Sequence, residues 1–273
     1  LAESIMRYVD SKKIKVSNPD KFESITGRGV QAMWGLKRIL VGTRKLMEEH
    51  KIDYSEQENE IIKLEEQGKT VMLVSFQKEL VGLVAVADTL KETSKEAVTQ
   101  LKNLGLNVIM ITGDNARVGR AIGKQAGIDK VMAEVMPEDK ANKIKSLQEK
   151  GRNVAMVGDG INDAPALAQA NIGIAIGSGT DIAMEAGSIV LIKSDLNDVV
   201  TALDLSKFTM RKIKQNLFWA FAYNVLGIPI AAGVLYPFTN WTLNPLIAGA
   251  AMAFSSVSVV SNSLLMKRYK TKR

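Results

Sequence analysis

Directly after the apolar run at 153–157, the chain reads Gly158-Asp159-Gly160-Ile161-Asn162-Asp163. A strand there delivers Asp159 to the carboxyl edge of its sheet, and Gly158 and Gly160 allow a tight turn with little side-chain obstruction. Asp163, four residues on and near a helix start, can point back to the same place. Two carboxylates on such a loop suit Mg²⁺, which takes a few oxygens and completes its shell with water and phosphate. The same residues also read as an ordinary turn whose Asp and Asn cap a helix. The stretch alone leaves both readings open.

On either side of it, residues 85–206 alternate short β-rich runs with helical patterns. The strand candidates are 81–87, 107–111, 130–134, 153–157, 172–176 and 189–192, and helical patterns cover 94–104, 116–126, 137–149 and 164–170. This alternation predicts an α/β fold on a parallel, doubly wound sheet, in which ligands bind at the carboxyl ends of the strands. Thr112-Gly113-Asp114-Asn115 follows the strand at 107–111 and opens the next helix. A hydroxyl and free backbone N–H groups at a helix N-terminus make a phosphate seat; a plain N-cap by Asp114 or Asn115 also fits. Met136-Pro137-Glu138-Asp139-Lys140 takes the same place between strand and helix. There Lys140 can neutralise a transferring phosphoryl group, or be a solvated surface lysine.

Residues 1–84 follow a different pattern: a helix at 2–11, short strands at 22–25, 29–34, 37–41, 71–76 and 80–83, and a charged helical stretch at 54–67. This reads as an α+β module on an antiparallel sheet, with its boundary near Ala85. At the other end, no residue from 217 to 266 is charged. Two apolar stretches, 218–236 and 243–266, are each long enough to span a hydrocarbon core of ~30 Å as a helix. The turn between them carries Tyr236, Pro237 and Trp241, which suit a membrane interface. A buried helical hairpin is the alternative.

The net charge is +7, and residues 207–273 hold nine basic residues and no acidic one, which leaves the rest of the chain at −2. The basic residues bracket the apolar region and are absent from its turn, so the positive-inside rule puts both ends in the cytoplasm. That distribution argues for a lipid partner and against nucleic acid. With no cysteine, the chain has neither a disulfide framework nor a thiolate metal site. It opens on Leu1-Ala2-Glu3 without a signal peptide and runs straight into a helical pattern, so it reads as a fragment of a longer protein.

Together the three loops resemble the haloacid dehalogenase (HAD)-like phosphoryl-transfer domain, and more closely the phosphorylation domain of P-type ATPases. Thr112-Gly113-Asp114 and Gly158-Asp159-Gly160-Ile161-Asn162-Asp163 match that family's signatures in its order. Asp88-Thr89-Leu90-Lys91 resembles the stretch where the family's chain re-enters the phosphorylation domain. The resemblance covers essentially the whole chain. It implies that Asp159 and Asp163 hold Mg²⁺, that Thr112 and Lys140 contact the phosphoryl group, and that Gly113 and Asp114 shape the site. Upstream, Gly27-Arg28-Gly29 looks like the family's glycine pair for close approach to the adenine of ATP. Gly42-Thr43 looks like a second nucleotide contact, often Gly-Asn in relatives, and ordinary turn chemistry is the local alternative for both. In the apolar region, Tyr223-Asn224 and Met252-x-x-Ser255-Ser256 resemble the last two spans of copper(I)-exporting P-type ATPases. A thioether is a soft ligand suited to Cu(I), and polar groups within a span mark an ion path by default. Methionine and serine also serve plain helix packing. The resemblance thus implies ATP-driven transport of Cu⁺, or Ag⁺, through an aspartyl-phosphate intermediate, with the ion delivered by a metallochaperone. A pump for another metal such as zinc is the nearest alternative.

The family's phosphorylated aspartate sits in Asp-Lys-Thr-Gly-Thr, and neither that run nor the family's His-Pro pair occurs here. Both are expected upstream of Leu1. A rival reading is a HAD-type phosphatase using Asp88, which follows the run at 81–87. Such enzymes usually show Asp-x-Asp with the second carboxylate as acid/base, and Leu90 in that place cannot exchange a proton. Three parts are expected in order: residues 1–84, the C-terminal part of a nucleotide-binding domain; 85–206, a phosphorylation domain lacking its acceptor aspartate; and 207–273, a two-helix transmembrane hairpin with a basic tail.

Overall fold

The computed structural model describes residues 2–87, 89–158, 161–177, 187–239 and 244–269. They form two compact units, residues 1–196 and 197–273.

The first unit opens with α1 (Ala2–Ser11) and a five-stranded sheet of β1 (Lys21–Ile25), β2 (Gly29–Trp34), β3 (Lys37–Gly42), β4 (Lys69–Phe76) and β5 (Glu79–Ala87). Every pairing is antiparallel and the spatial order is the chain order. Between β3 and β4 lie α2 (Arg44–Glu49) and α3 (Glu58–Glu66). Along β4, Val71, Leu73 and Ser75 alternate inward, as a strand with one covered face requires. Val71 and Leu73 meet Leu40, Leu46, Met47 and Ile61 in one apolar core. Each such side chain, fully buried, contributes roughly 1.5–3 kcal/mol. The runs expected at 80–83 and 81–87 are one strand, β5, which pairs with β4 from Glu79 to Ala87. The expected placing of 81–87 among the parallel strands is therefore corrected. The sheet runs through Ala85 to Ala87, because the left-handed turn at Gln77 (φ 59°) folds β5 back on β4.

The parallel strands follow in two groups. β6 (Ile109–Ile111) pairs with β7 (Lys130–Met132), while β8 (Ala155–Gly158), β9 (Ile172–Ile176) and β10 (Ile189–Leu191) form a second group in the order β10-β9-β8. Helices alternate with them as expected: α4 (Glu92–Asn103), α5 (Ala116–Ala126), α6 (Pro137–Glu149) and α7 (Ala164–Gln169). Among the described residues the parallel strands do not join into the single sheet expected. α5 ends on Gly127, in the left-handed conformation that stops helices. A Cβ on Gly123 would lie 2.6 Å from the Val131 side chain, so α5 sits directly on β7.

The second unit consists of α8 (Leu196–Ala231), α9 (Tyr236–Thr239) and α10 (Pro245–Leu264), ending in a 3₁₀ turn at Leu265–Arg268. Among the described residues, no helix is long and apolar enough to cross a membrane. The expected span at 218–236 is cut at Ala231, followed by a turn through Gly233 (φ 87°). The second expected span reads as helix only from Pro245 to Leu264. Trp241 lies outside the described residues. α8 and α10 are joined by polar contacts: Lys212 donates to Asn262 (2.9 Å), Asn262 to Asn216 (2.6 Å) and Asn216 to Ser263 (2.9 Å). Beside them, the Tyr269 hydroxyl donates to Asp204 at 2.6 Å.

Candidate active site

The carboxyl ends of β6, β7 and β8 each lead into a loop bearing polar side chains, and two contacts tie these loops into a site. After β6, the Thr112 amide donates to Met132 O (2.9 Å), and Val135 and Glu134 amides return to Thr112 O (3.0 Å) and Asp114 O (2.8 Å). The loops after β6 and β7 are thereby zipped past the strand ends. Within the first, Thr112 Oγ1 donates to Asp114 Oδ2 (2.8 Å) and accepts from the Asp114 amide (3.1 Å), while Thr70 donates to Asp114 Oδ1 at 3.4 Å. Gly113 is exposed at the tip.

The second contact joins the loops after β7 and β8. Lys140 stands in the first turn of α6, which Pro137 opens. Its Nζ donates to Asp163 Oδ1 at 2.6 Å, with the two side chains 19% and 14% exposed. Charges withdrawn from water this far persist because each neutralises the other. The Asp163 carboxylate lies over Gly158, where a Cβ would fall 2.7 Å from Oδ2. Asp163 therefore does point back to the end of β8. Asp159, the other expected carboxylate, lies outside the described residues, as does Asp88. No cluster of three or more His, Cys, Asp or Glu that could hold a metal occurs among the described residues. Asp163 offers a hard oxygen of the kind Mg²⁺ prefers, and one or two carboxylates with phosphate and water make a complete Mg²⁺ site.

The phosphate seat expected at the start of α5 is corrected in one respect. Its N–H groups are not free: Asn115 Oδ1 accepts from Arg117 and Val118 (both 3.0 Å), and Glu134 Oε1 accepts from Ala116 (3.3 Å). Both readings of Asn115 thus meet here, a cap beside an exposed loop. Glu134 holds the left-handed conformation (φ 57°), unusual for a residue with a side chain. Neither Glu134 nor Thr70 stood out in the sequence. Glu65 was also missed. It lies on α3 and is bound by Arg44, Asn115 and Arg117. The available signal was a glutamate four residues after Ile61, on the apolar face of its helix.

The glycines of the antiparallel sheet meet one another. Gly29 and Gly42 are register partners, and a Cβ on either would fall 2.2 Å from a backbone oxygen, Val41 O and Arg28 O respectively. Gly27 turns with φ 70° and lies against the Met136 side chain, 3.6 Å from where its Cβ would be. The 27–29 turn therefore abuts the residue that precedes α6. Thr43 precedes α2, donates its amide to Arg28 O (2.8 Å) and keeps its side chain exposed. Arg28 pairs with Glu49. Before α4, Lys91 donates to Ser194 O and Oγ (2.7 and 2.6 Å), and in its first turn Thr93 donates to Asp195 (3.0 Å).

In the second unit, Tyr223 and Asn224 stand on α8 and Met252, Ser255 and Ser256 on α10. The structure does not bring the two sets together by any hydrogen bond among the described residues. The Asn224 amide donates to Ala220 O (3.0 Å) and the Ser256 hydroxyl to Met252 O (3.4 Å), each within its own helix. Met252 is 74% exposed.

Residues 1–171 match the haloacid dehalogenase-like hydrolase family. Over 271 residues the chain is 56% identical to the copper-exporting P-type ATPase of Bacillus subtilis (strain 168), covering 99% of this chain and 33% of that protein. Among solved structures, it is similar to a zinc-transporting PIB-type ATPase in the E2·Pi state, with a TM-score of 0.70 and 30% identity over 97% of this chain and 42% of that one. A catalytic domain of the CPx-ATPase CopB-B, studied for its conformational changes on nucleotide binding, matches with a TM-score of 0.52 and 26% identity over 74% and 71%. The chain spans about a third of the length of the curated relatives it matches.

Proposed function

This chain belongs to the haloacid dehalogenase-like hydrolases, and from that premise we propose that it supplies the phosphoryl-handling centre and last two helices of a copper(I)-exporting P-type ATPase. The observation that carries the reading is the Lys140–Asp163 pair, 2.6 Å apart and withdrawn from water at the ends of parallel strands, with the Thr112–Asp114 loop bonded to the same loop after β7 that leads into Lys140. A cation and a hydroxyl there offset charge that develops on a transferring phosphoryl group. Thr112 first has to release its proton from Asp114. Mg²⁺, held by Asp163 with Asp159, would supply further neutralisation at the phosphate oxygens. Lys140 holds the Asp163 carboxylate in place until phosphate arrives, and then shares its positive charge with it. Gly27, Gly29, Gly42 and Thr43 lie together where β2 starts and β3 ends, and ATP would lie against them, a role supported by the CopB-B relative, whose catalytic domain changes conformation on nucleotide binding.

The ion is assigned on identity. The relative named for copper is 56% identical, the one named for zinc 30%. Tyr223, Asn224, Met252, Ser255 and Ser256 are the proposed ligands, with the soft Met252 sulfur favouring Cu⁺ or Ag⁺. The hairpin is proposed to lie in a membrane with residues 1–206 and the basic tail in the cytoplasm. Its support is the uncharged run from 217 to 266 and the exposed Phe218, Phe221, Leu226, Leu246 and Phe254, since large exposed apolar surfaces imply lipid or a partner. A metallochaperone would deliver the ion.

The test is ATP hydrolysis by the complete protein carrying this segment, in membranes, with Cu(I), Ag(I), Zn(II) or K⁺. Activation by Cu(I) or Ag(I) alone, falling about 10-fold or more in Met252→Ala, is the expected result. Activation by Zn(II) with no effect of Met252→Ala would sink the copper assignment and leave the ATPase standing.

A further inference from the structure

Glu65 is 1% exposed, yet four hydrogen bonds converge on its carboxylate. Arg44 donates through both terminal nitrogens, at 2.6 and 3.1 Å; Asn115 donates through Nδ2 at 2.8 Å and Arg117 through Nη1 at 3.2 Å. Arg44 also binds Glu58, so two arginines face two glutamates. The hydrogen bond it donates to Glu65 holds the Arg44 guanidinium charged well beyond its ordinary range. A carboxylate this deep is costly unless its lone pairs are filled, and here they are.

The donors come from two places. Arg44 and Glu65 belong to α2 and α3, beside the antiparallel sheet; Asn115 and Arg117 open α5, immediately after the Thr112–Asp114 loop. Asn115 faces both ways. Its oxygen caps α5 through the Arg117 and Val118 amides, and its amide group donates to Glu65. Thr70, on β4, makes a second thread to the same loop through Asp114. A buried ion pair contributes little to stability compared with apolar packing of the same volume. What a carboxylate adds at this point is direction.

We propose that Glu65 is a positioning residue for phosphoryl transfer. It holds Asn115, and through it the Thr112–Asp114 loop, in a fixed relation to the glycine-bearing sheet, so that nucleotide on one side and phosphoryl contacts on the other stay in register. The inference rests on the phosphoryl-transfer reading above.

Reversing the polarity of one hydrogen bond tests it. Asn115→Asp keeps a capping oxygen, because Asp caps a helix as well as Asn, but loses the donor and sets two carboxylates face to face. Adding Glu65→Gln restores a donor–acceptor pair in the opposite sense and returns the cluster to its original charge. In the complete protein, with ATP and Cu(I), Asn115→Asp should lower kcat about 10-fold with KM for ATP changed less than about threefold, and the double variant should recover most of the loss. Amide hydrogen exchange over residues 112–119 in the same preparations should quicken about 10-fold in the single variant and slow again in the double. Exchange needs neither substrate nor ion. Should the unaltered protein prove not to hydrolyse ATP, the phosphoryl-transfer reading would fall while exchange still judged the link. Unchanged exchange in Asn115→Asp, or a double variant no better than the single, overturns the proposal.

Discussion

A methyl group on Gly29 would sit 2.2 Å from the Val41 carbonyl oxygen and 2.5 Å from the Gly42 Cα, and Gly29 holds φ at 142°. Backbone cannot yield as a side-chain end can, so β2 and β3 would have to part. Gly29→Ala is expected to destabilise the first unit by at least ~2 kcal/mol, seen as a fall of roughly 5 °C or more in its melting temperature. A shift under 1–2 °C would mean that the strands separate freely there. The need for a residue without a side chain was legible in Gly27-Arg28-Gly29 and Gly42. What approaches was not: part of that closeness is one strand's backbone against the next, a pairing 13 residues apart in the chain. Gly158 repeats the lesson at the site. Its missing Cβ leaves room for the Asp163 carboxylate, five residues on, and that short separation is why the sequence alone pointed to it.

Elements were legible where their signals are local. α5 and α6 fall on the expected 116–126 and 137–149, marked by Asn115 and Gly127 for the one and Pro137 for the other. Pairing was less so, because an alternating run such as β5 looks the same in a parallel or an antiparallel sheet until the Gln77 turn joins it to β4. Between α2 and α3 a further contact carries a pH signature. The Tyr54 hydroxyl donates to Glu48 at 2.6 Å. That bond, then burial, lifts its pKa from 10.0 to about 12. A raised pKa means that the protonated form is favoured in the folded state. The contribution is complete below pH ~10, the unfolded value, and is lost as the pH climbs through about 12. Chemical denaturation of the wild type and Tyr54→Phe should therefore give a stability difference that is constant below pH 10 and shrinks between pH 10 and 12. A difference that stays level through that window would show that the hydroxyl keeps its proton in both states for some other reason. Glu65 belongs to the same helix as Ile61, and its contacts were hidden because its donors, Arg44, Asn115 and Arg117, are distant in sequence.

At the scale of the whole molecule, the two sheet types bear on the phosphatase reading of Asp88. A HAD-type phosphatase needs its nucleophile at the carboxyl end of a parallel strand, beside the strands that deliver its other groups. The strand before Asp88 is β5, whose only described partner is β4, antiparallel to it. Thr112, Lys140 and Asp163 follow the parallel strands β6, β7 and β8, and the described residues contain no parallel strand joining β6–β7 to β8–β10. Leu90 withholds the second carboxylate as well. No Asp-Lys-Thr-Gly run occurs in the sequence, so on the proposed reading the attacking carboxylate comes from outside these residues. The 273-residue chain, given p-nitrophenyl phosphate and Mg²⁺, is therefore expected to show no turnover above buffer. The complete protein labelled from γ-phosphate-labelled ATP should form an acid-stable, hydroxylamine-sensitive phosphoprotein whose label maps to a peptide outside these residues, as an aspartyl phosphate requires. Turnover by the chain that disappears in Asp88→Asn, or label recovered on the peptide bearing Asp88, would reverse the assignment and make the β5 end the nucleophile's seat.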